Sequence, residues 1–380
     1  MDLEGIRVLD LTRLLPGAFC SLLLADMGAD VIKVEEPGSG DYMRWFPPLI
    51  DGQAAVFNAI NRNKRAITLN LKTERGRELF ELLAGSADVV VEGNRPRVME
   101  RLGLGWRRLH ELNSRLVLCS ITGYGQDGPF AQRAGHDLNY MATTGALSLN
   151  SPRGGDPHPL AVQVADIGAG GVGAAAAILG ALVGVLRGGE GRHLDVAMAD
   201  GAATWLGPAF AESAAGGQAA HGGRTRLTGR YPCYRVYRCK DGGYYSIGAL
   251  EPKFWAELCS AMGRPDLLPF HVDESQAAHS AMENAFVERT RDEWQSLFGD
   301  RDVCAEPVLE VEEVSGHPQN AARGLIDVTA SGLQVRPAVP PPNGWRRLPP
   351  PRLGEHNAEV FGGIGIDAAE LEQLAAAGVV

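Results

Sequence analysis

The sequence lacks several features that would assign it to a familiar class of protein. Its six cysteines are scattered and form no CxxC pair, so we expect neither a zinc site nor a disulfide framework. The first βα turn has no GxGxxG pattern, so a dinucleotide site is not expected. No apolar run predicts a clear membrane span, and Asp2 and Glu4 precede the first apolar run. We therefore expect a cytoplasmic protein without a signal peptide, a membrane partner or a bound metal.

The sequence also has few positively charged residues relative to negatively charged ones. The 36 Lys and Arg residues are outnumbered by 46 Asp and Glu residues, which gives a formal net charge of −10. This balance argues against a nucleic-acid partner. A polyanionic ligand would therefore need a local basic cluster. Hydrophobic residues make up 45% and charged residues 22% of the chain, as is typical of a globular protein.

Apolar segments alternate between strand and helix lengths in the first half of the chain. Ile6–Leu11 predicts a strand, Pro16–Gly28 a helix and Asp30–Val34 a second strand, which together form a βαβ unit. Four further strands are predicted at Ile67–Leu71, Asp88–Val91, Leu116–Ile121 and Gly191–Met198. This order favours an α/β fold with a large Rossmann-like parallel-sheet domain.

A chain of 380 residues is too long for one ordinary core, so we expect two domains. The polar, glycine-rich stretch Gly216–Gly229 is the best boundary. We predict a large domain over 1–215 and a smaller α+β domain over 216–330. Residues 331–380 would then be a proline-rich connector, Pro337–Pro351, and a C-terminal segment that returns to the large domain.

Two titratable side chains stand out in the large domain. His136 lies in the polar hexapeptide Gly135–Tyr140, and Asp166 precedes the apolar helix predicted over Ile167–Leu186. An acid/base pair of this kind can remove a proton from one side of a carbon and return one on the other side. Two plainer interpretations stay open: Asp166 as the N-cap of the helix, and His136 as a hydrogen-bonded polar residue.

Two groups of cations lie near predicted strand ends. They are Arg62, Lys64 and Arg65, and Arg95, Arg97 and Arg101, which Arg107 and Arg108 extend. Such groups can hold phosphates in an acidic chain. The alternative is a solvated charged surface.

Several segments carry a resemblance to one known family. They are Leu3–Asp10, Ala25–Glu35, Asn63–Arg65, Val91–Pro96, Gly123–Pro129, Gly201 and Gly354–Asn357. Together they resemble the family III coenzyme A transferases over nearly the whole chain. Within that family, Gly135–Tyr140 is similar to the α-methylacyl-CoA racemase branch.

The resemblance implies roles for individual residues. His136 and Asp166 would be the proton-transfer pair, Glu251 would orient His136, and Asp137 would assist. The implied coenzyme A contacts, together with the basic residues predicted to hold its phosphates, are Arg44, Arg62, Lys64, Arg65, Leu69, Asn70, Leu71, Lys72, Arg95, Arg101, Gly135, Asp137, Leu138, Asn139 and Tyr140. This chain has Glu36 where racemases often have an arginine, and Arg44 is expected to replace that contact.

The implied reaction interconverts (R)- and (S)-2-methylacyl-CoA thioesters through an enolate. We expect backbone N–H groups at the start of the Gly168 helix to hold the enolate oxygen. The helix dipole would keep Asp166 ionised, whereas burial would favour its protonated form. One alternative is a CoA-transferase, in which Asp166 attacks the thioester and forms a mixed anhydride. Another is a non-catalytic acyl-CoA-binding protein.

The resemblance also implies partners. Coenzyme A would enter as part of the substrate, with no other cofactor. An interlocked homodimer is implied, with each active site between the large domain of one subunit and the small domain of the other. Glu251 would then come from the partner subunit.

Overall fold

The computed structural model describes residues 2–216, 221–337 and 347–380. The chain divides into two compact units. The first unit contains residues up to 144, residues 161–205 and residues 323–380. The second unit contains residues 145–160 and 206–322.

The first unit is an α/β structure around a six-stranded parallel sheet. Its strands are β1 (Arg7–Asp10), β2 (Asp30–Glu35), β5 (Lys64–Thr68), β6 (Val89–Glu92), β7 (Val117–Thr122) and β8 (His193–Ala197). Two small antiparallel ribbons accompany it, β3 (Leu49–Ile50) with β4 (Gln53–Ala54) and β12 (Ile326–Thr329) with β13 (Gly332–Val335). The parallel α/β architecture predicted from the sequence is confirmed.

The strand order in the sheet is β5-β2-β1-β6-β7-β8. The chain therefore fills one side of β1 first and then crosses to the other side at β6. In open parallel sheets, the carboxyl ends of the strands at such a reversal leave a crevice in which ligands bind. The residues that follow β1 and β6 are thus the first place to look for a site.

Helices cover the sheet and complete the core. In the first unit they are α1 (Leu14–Asp26), α2 (Ala55–Ile60), α3 (Glu74–Ala84), α4 (Val98–Arg101), α5 (Trp106–Leu112), α6 (Asp137–Thr143), α8 (Gly173–Leu186), α9 (Met198–Thr204), α15 (Asn357–Gly362) and α16 (Ala368–Ala376). Thr73 caps α3 through its hydroxyl oxygen, which accepts the N–H of Gly76 at 3.0 Å. Phe80 of α3, Leu109 of α5 and Phe361 of α15 share one buried cluster, so the C-terminal segment belongs to this core.

The helix that carries Asp166 is longer than the sequence indicated. A π-helical segment, Val164–Val172, runs directly into α8, so that Val164–Leu186 is long and apolar enough, by length and composition, to cross a membrane. Half of that stretch is buried inside the protein. Gly170 and Gly171 lie against Pro16 and Phe19, where a Cβ atom would come within about 3 Å of its neighbours. This close contact identifies the segment as a packed helix of the first unit.

The second unit is built on a three-stranded antiparallel sheet, in the order β11-β10-β9. Its strands are β9 (Tyr234–Arg238), β10 (Tyr244–Gly248) and β11 (Ala305–Pro307). Its helices are α7 (Ala146–Leu149), α10 (Gly207–Ala214), α11 (Pro252–Met262), α12 (Gln276–Phe286), α13 (Arg291–Phe298) and α14 (Pro318–Ala322), with 3₁₀ turns at Pro265–Phe270 and Val311–Gly316. Strands β9 and β10 pair as an antiparallel hairpin.

The division of the chain differs in detail from the predicted boundaries. The break lies between Trp205 and Leu206, where a new helix with Pro208 in its first turn begins. Residues 145–160 belong to the second unit, where the Arg153 guanidinium donates to the carbonyl of Glu274 at 3.0 Å. Residues 217–220 of the predicted boundary lie outside the described residues.

The C-terminal segment returns to the first unit. Residues 338–346 of the predicted connector lie outside the described residues. Beyond them, the Leu348 N–H donates to the side chain of Asn63 at 2.6 Å, and the Leu348 carbonyl accepts the Asn63 N–H at 3.3 Å. These bonds attach the end of the connector to the start of β5.

Candidate active site

Two clefts open at the carboxyl ends of β1 and β6, and Thr12, Arg13 and Asn94 line both of them. We name them after one residue of each. The Lys72 cleft is also lined by Leu11, Val34, Glu35, Glu36, Gly40, Asp41, Leu69, Asn70, Leu71, Lys72, Val98 and Leu102. The His136 cleft is also lined by Leu14, Pro16, Gly17, Tyr42, Gly93, Arg95, Pro96, Ile121, Thr122, Gly123, Ala131, Arg133, Ala134, Gly135, His136, Asn139, Tyr140, Asp166 and Met198.

The structure therefore brings together much of the set predicted from the sequence. Leu69–Lys72 lie in one cleft, whereas Arg95, His136 and Asp166 lie in the other. The His136 cleft has an empty volume of about 1290 Å³, open solvent included. Because the two clefts share one wall, a single extended ligand can occupy both.

His136 stands at the N-terminus of α6, with an extended backbone. Its N–H donates to the side-chain oxygen of Asn139 at 3.0 Å, which closes the first turn of the helix. The Tyr140 hydroxyl donates to the carbonyl of Gly135 at 2.6 Å. Gly123 and Gly135 both lie against the Tyr140 ring, where a Cβ atom would come within 2.7 Å of it. The polar hexapeptide is thus a fixed turn that presents an exposed imidazole to the cleft.

Asp137 fastens this turn to the helix that carries Asp166. One oxygen of its carboxylate accepts the N–H of Ala165 at 2.6 Å and the N–H of Asp166 at 3.0 Å. Asp137, and not Asp166, therefore caps the helix, and the N-cap interpretation of Asp166 is wrong. The expectation that backbone N–H groups at the start of a helix beginning near Gly168 hold an enolate oxygen is also corrected, because the helix begins at Val164 and Gly168 lies inside it.

Burial raises the pKa of Asp166 to about 6, the Asp137 carboxylate adds to this rise, and His136 opposes it. Burial thus outweighs any stabilisation of the carboxylate by the helix dipole. A carboxyl group with this pKa is populated in both its protonated and its ionised forms near neutral pH. Such a group can act as either an acid or a base.

Charge is balanced differently in the two clefts. In the Lys72 cleft, Lys72 donates to Glu36 at 2.6 Å and Arg13 lies 3.8 Å from the same carboxylate. In the His136 cleft, Arg95 and Arg133 form no salt bridge within the described part of the chain, and Arg133 lies 3.7 Å from the centre of the Phe130 ring. The second cleft therefore keeps cations that a bound anion can use.

Three predicted phosphate ligands are corrected, because their side chains are buried in ion pairs. Arg44 pairs with Glu35 and also donates to the carbonyl of Pro351 at 2.9 Å. Arg62 pairs with Asp26, and Lys64 lies 3.5 Å from Asp10. All three side chains are at most 5% exposed. Arg44 therefore cannot replace the missing contact at Glu36.

Other predicted contacts lie at the surface but outside both linings. Arg65 pairs with Asp30 and Glu359. Arg101 is exposed at the end of α4, and Leu138 is exposed on α6. Arg107 and Arg108 pair with Glu111 and Glu81, as expected of a solvated charged surface. Arg97 is exposed at the start of α4.

Glu251 belongs to the second unit, where it is the exposed residue before α11. Its predicted role beside His136 stays a prediction. Among the residues that the structure describes, no group of His, Cys, Asp and Glu has the arrangement of a metal site.

Sequence reasoning missed Thr12, Arg13 and Asn94, which line both clefts, and Arg133. A signal for the first three was present. They directly follow the strands β1 and β6, between which the chain reverses its direction across the sheet. That reversal becomes visible only when the strand order is known.

Comparison with known proteins shows the family of the chain. Residues 3–357 match the model of CoA-transferase family III. The chain belongs to this family. It is 34% identical to the human protein named alpha-methylacyl-CoA racemase, over 98% of this chain and 96% of that one. It is 31% identical to the human succinyl-CoA:glutarate CoA-transferase, over 100% of this chain and 90% of that one.

Solved structures give the same result. A CAIB/BAIF family protein from Brucella suis superposes with a TM-score of 0.84 at 31% sequence identity, over 95% of this chain and 99% of that one. The family is thus shown by both sequence and fold. Its members similar to this chain include racemases and CoA-transferases at comparable identity.

Proposed function

We propose that the protein is a racemase that interconverts (R)- and (S)-2-methylacyl-CoA thioesters by a 1,1-proton transfer. The observation that carries the proposal is the presence of His136 and Asp166 in one cleft, with the pKa of Asp166 raised to about 6 by burial. A proton-transfer catalyst works best when its pKa lies near the working pH. Membership of a family that contains racemases supports the same reaction.

In the proposed mechanism, neutral His136 removes the α-proton from one face of the thioester. The electron pair moves onto the thioester oxygen and gives an enolate. Protonated Asp166 then delivers a proton to the opposite face, and the carbonyl re-forms. The product leaves with inverted configuration, and the enzyme holds a protonated histidine and an ionised aspartate. The reverse turnover, or exchange with water, restores the starting state.

Other residues have supporting roles in this proposal. The shared wall allows the pantetheine arm to run from the Lys72 cleft to the His136 cleft. Arg95 and Arg133 offset negative charge from the phosphates or from the enolate. We retain Glu251 as the residue that orients His136 within a homodimer.

The test is to incubate the purified protein with (R)-2-methylacyl-CoA in D2O, without a free carboxylic acid, and to follow the α-proton by NMR. The proposal predicts loss of the α-proton signal together with appearance of the S epimer. A thioester that keeps both its α-proton and its configuration would contradict it.

A CoA-transferase is the second candidate, and the 31% identity to the succinyl-CoA:glutarate CoA-transferase favours it. Asp166 would then attack the thioester carbonyl, form a mixed anhydride and release coenzyme A thiolate. A second carboxylate would attack the aspartyl carbonyl of this anhydride and displace the first carboxylate. The thiolate would then attack the acyl carbonyl of the new anhydride, which forms the new thioester and releases the Asp166 carboxylate. Addition of succinate to the same assay separates the two candidates, since only the transferase then produces succinyl-CoA.

A further inference from the structure

Two lysines are completely buried in the first unit, and their ammonium groups bind different parts of the backbone. The side chains of Lys33 and Lys64 are 0% exposed, and each lies near a carboxylate that is equally buried. Neither ammonium group can reach a ligand. A buried charge is expensive unless it is paired and hydrogen-bonded, so each must stabilise a particular arrangement of its neighbours.

Lys33 holds residues of the cleft wall. Its ammonium group donates to the carbonyl of Thr12 at 2.8 Å and lies 3.1 Å from the carboxylate of Asp41. Thr12 lines both clefts, and Asp41 lines the Lys72 cleft. Asp41 in turn accepts the N–H of Leu14, at 3.2 Å to one oxygen and 3.4 Å to the other. One buried cation thus binds one end of the Thr12–Leu14 turn directly and the other end through Asp41.

The Thr12–Leu14 turn needs such support because its backbone is strained. Leu14 has a φ of 60°, in the left-handed region that a branched side chain rarely adopts. A residue of this kind persists only where surrounding contacts hold it, and strain of this type is concentrated at functional sites. The N–H of Leu14 is bonded to Asp41, which Lys33 keeps in place.

Lys64 serves as the comparison, because it reaches the turn only through Asp10, which lies 3.5 Å away and accepts the N–H of Thr12 at 2.9 Å. Its ammonium group donates to the carbonyl of Ala18 at 2.9 Å and to the side chain of Asn61 at 2.8 Å. Neither Ala18 nor Asn61 lines a cleft. The two lysines therefore share burial and charge, but only Lys33 donates directly to the turn.

We infer that Lys33 is a positioning residue, whose ammonium group fixes the Thr12–Leu14 turn as the wall shared by the two clefts. The inference rests on the proposed function, because it assumes that the clefts bind an acyl-CoA. Coenzyme A affinity should then depend on Lys33 beyond its contribution to stability.

The experiment compares Lys33→Met with Lys64→Met in the full-length protein. Free coenzyme A is the probe, its dissociation constant is measured by calorimetry, and thermal unfolding is measured in parallel. Hydrogen–deuterium exchange of the peptide that contains Leu14 reports on the turn itself. We expect Lys33→Met to weaken coenzyme A binding about tenfold and to speed exchange at Leu14, whereas Lys64→Met lowers the unfolding temperature but changes the affinity less than about twofold.

A double variant, Lys33→Met with Asp41→Asn, separates positioning from stability. It removes the Asp41 carboxylate that Lys33→Met leaves without its cation. Part of the loss in unfolding temperature should therefore be recovered, while the affinity for coenzyme A stays low. The double variant also replaces Lys33→Met in the experiment if that single variant does not fold. Recovery of both quantities, or equal losses of affinity in the two lysine variants, would overturn the inference. A wild-type protein without affinity for coenzyme A would overturn the proposed function and this inference together.

Discussion

The Lys72 cleft and the His136 cleft share a wall, but their charged groups are arranged differently. In the Lys72 cleft, Glu36 is neutralised by Lys72 and Arg13. In the His136 cleft, a half-buried Asp166 lies without a salt bridge among the described residues, and its pKa is raised. The Glu36 carboxylate is thus kept ionised by its cations, whereas a carboxyl group without such a partner in a cleft suits proton transfer. The proposal therefore places the chemistry in the His136 cleft and most of the coenzyme A binding in the Lys72 cleft, which Leu69–Lys72 line.

The largest expected effect comes from Asp166→Asn. Loss of one acid/base group should reduce epimerisation by about a thousandfold. The affinity for coenzyme A should stay within about twofold, since binding is assigned mainly to the Lys72 cleft. The measurement is steady-state epimerisation alongside calorimetry with free coenzyme A. If Asp166→Asn lost coenzyme A affinity as strongly as epimerisation activity, the assignment of binding and chemistry to separate clefts would be contradicted.

The same variant should be more stable than the wild type at neutral pH. The pKa of Asp166 is about 6 in the folded protein, above its ordinary value of 3.8, so the ionised form costs the folded state free energy. That cost is present above the folded pKa and disappears as the pH falls toward 3.8. Asp166→Asn should therefore raise the free energy of unfolding by on the order of 1 kcal/mol at about pH 8 and by little at about pH 4. Denaturant unfolding at the two pH values checks this sign.

The pH dependence of kcat/KM should be the same for the two epimers, because their equilibrium ratio does not change with pH. Each direction needs one proton on the pair formed by His136 and Asp166. When both groups are protonated no base is left, so the rate should fall about tenfold per pH unit below the pKa of Asp166 of about 6. Steady-state rates of both epimers across the acidic and neutral range measure this, and a rate that does not fall on the acid side would argue against Asp166 as one member of the pair.

A smaller effect is expected in the Lys72 cleft from Glu36→Gln. The change removes the carboxylate that now engages Lys72 and Arg13, and so leaves both cations for a phosphate. We expect coenzyme A to bind about threefold more tightly, with a gain that shrinks as salt is added. Glu78→Gln is the control, because it breaks a similar surface ion pair, with Arg75, away from both clefts.

The smallest effect should come from Tyr140→Phe. It removes the hydroxyl that donates to the carbonyl of Gly135 but keeps the ring on which Gly123 and Gly135 pack. The free energy of unfolding should fall by about 1 kcal/mol. Tyr124→Phe is the matched control, since the Tyr124 ring contacts that of Tyr140 and its hydroxyl does not contact Gly135. Thermal or denaturant unfolding measures both.

Most of the parallel sheet could be predicted from the sequence, because its strands are short apolar runs separated by helical segments. Strand β5 is the exception. The strand predicted at Ile67–Leu71 is found at Lys64–Thr68, so Lys64 and Arg65 lie inside it. In a sequence, such charged residues predict a loop rather than a buried strand. Here they are accommodated in the strand because they pair with Asp10 and Asp30, which lie on other strands. Local sequence carries no information about such pairings.

The site shows the same limit. His136 and Asp166 were found through a motif, and the structure brings them to one cleft. Arg44 and Arg62 were wrongly predicted to bind phosphate. Their buried ion pairs with Glu35 and Asp26 can be recognised only in the three-dimensional structure. The cap formed by Asp137 was missed for the same reason, since it joins residues nearly thirty positions apart.

The central claim is that His136 and Asp166 serve opposite faces of one carbon, and one-sided isotope exchange tests it most directly. Each epimer of a 2-methylacyl-CoA would be incubated in D2O with His136→Ala and with Asp166→Asn, and the α-proton followed by NMR. The account predicts that neither variant epimerises, that each still exchanges the α-proton of one epimer, and that the two variants exchange opposite epimers. Exchange of the same epimer by both variants, or undiminished epimerisation by either, would contradict it.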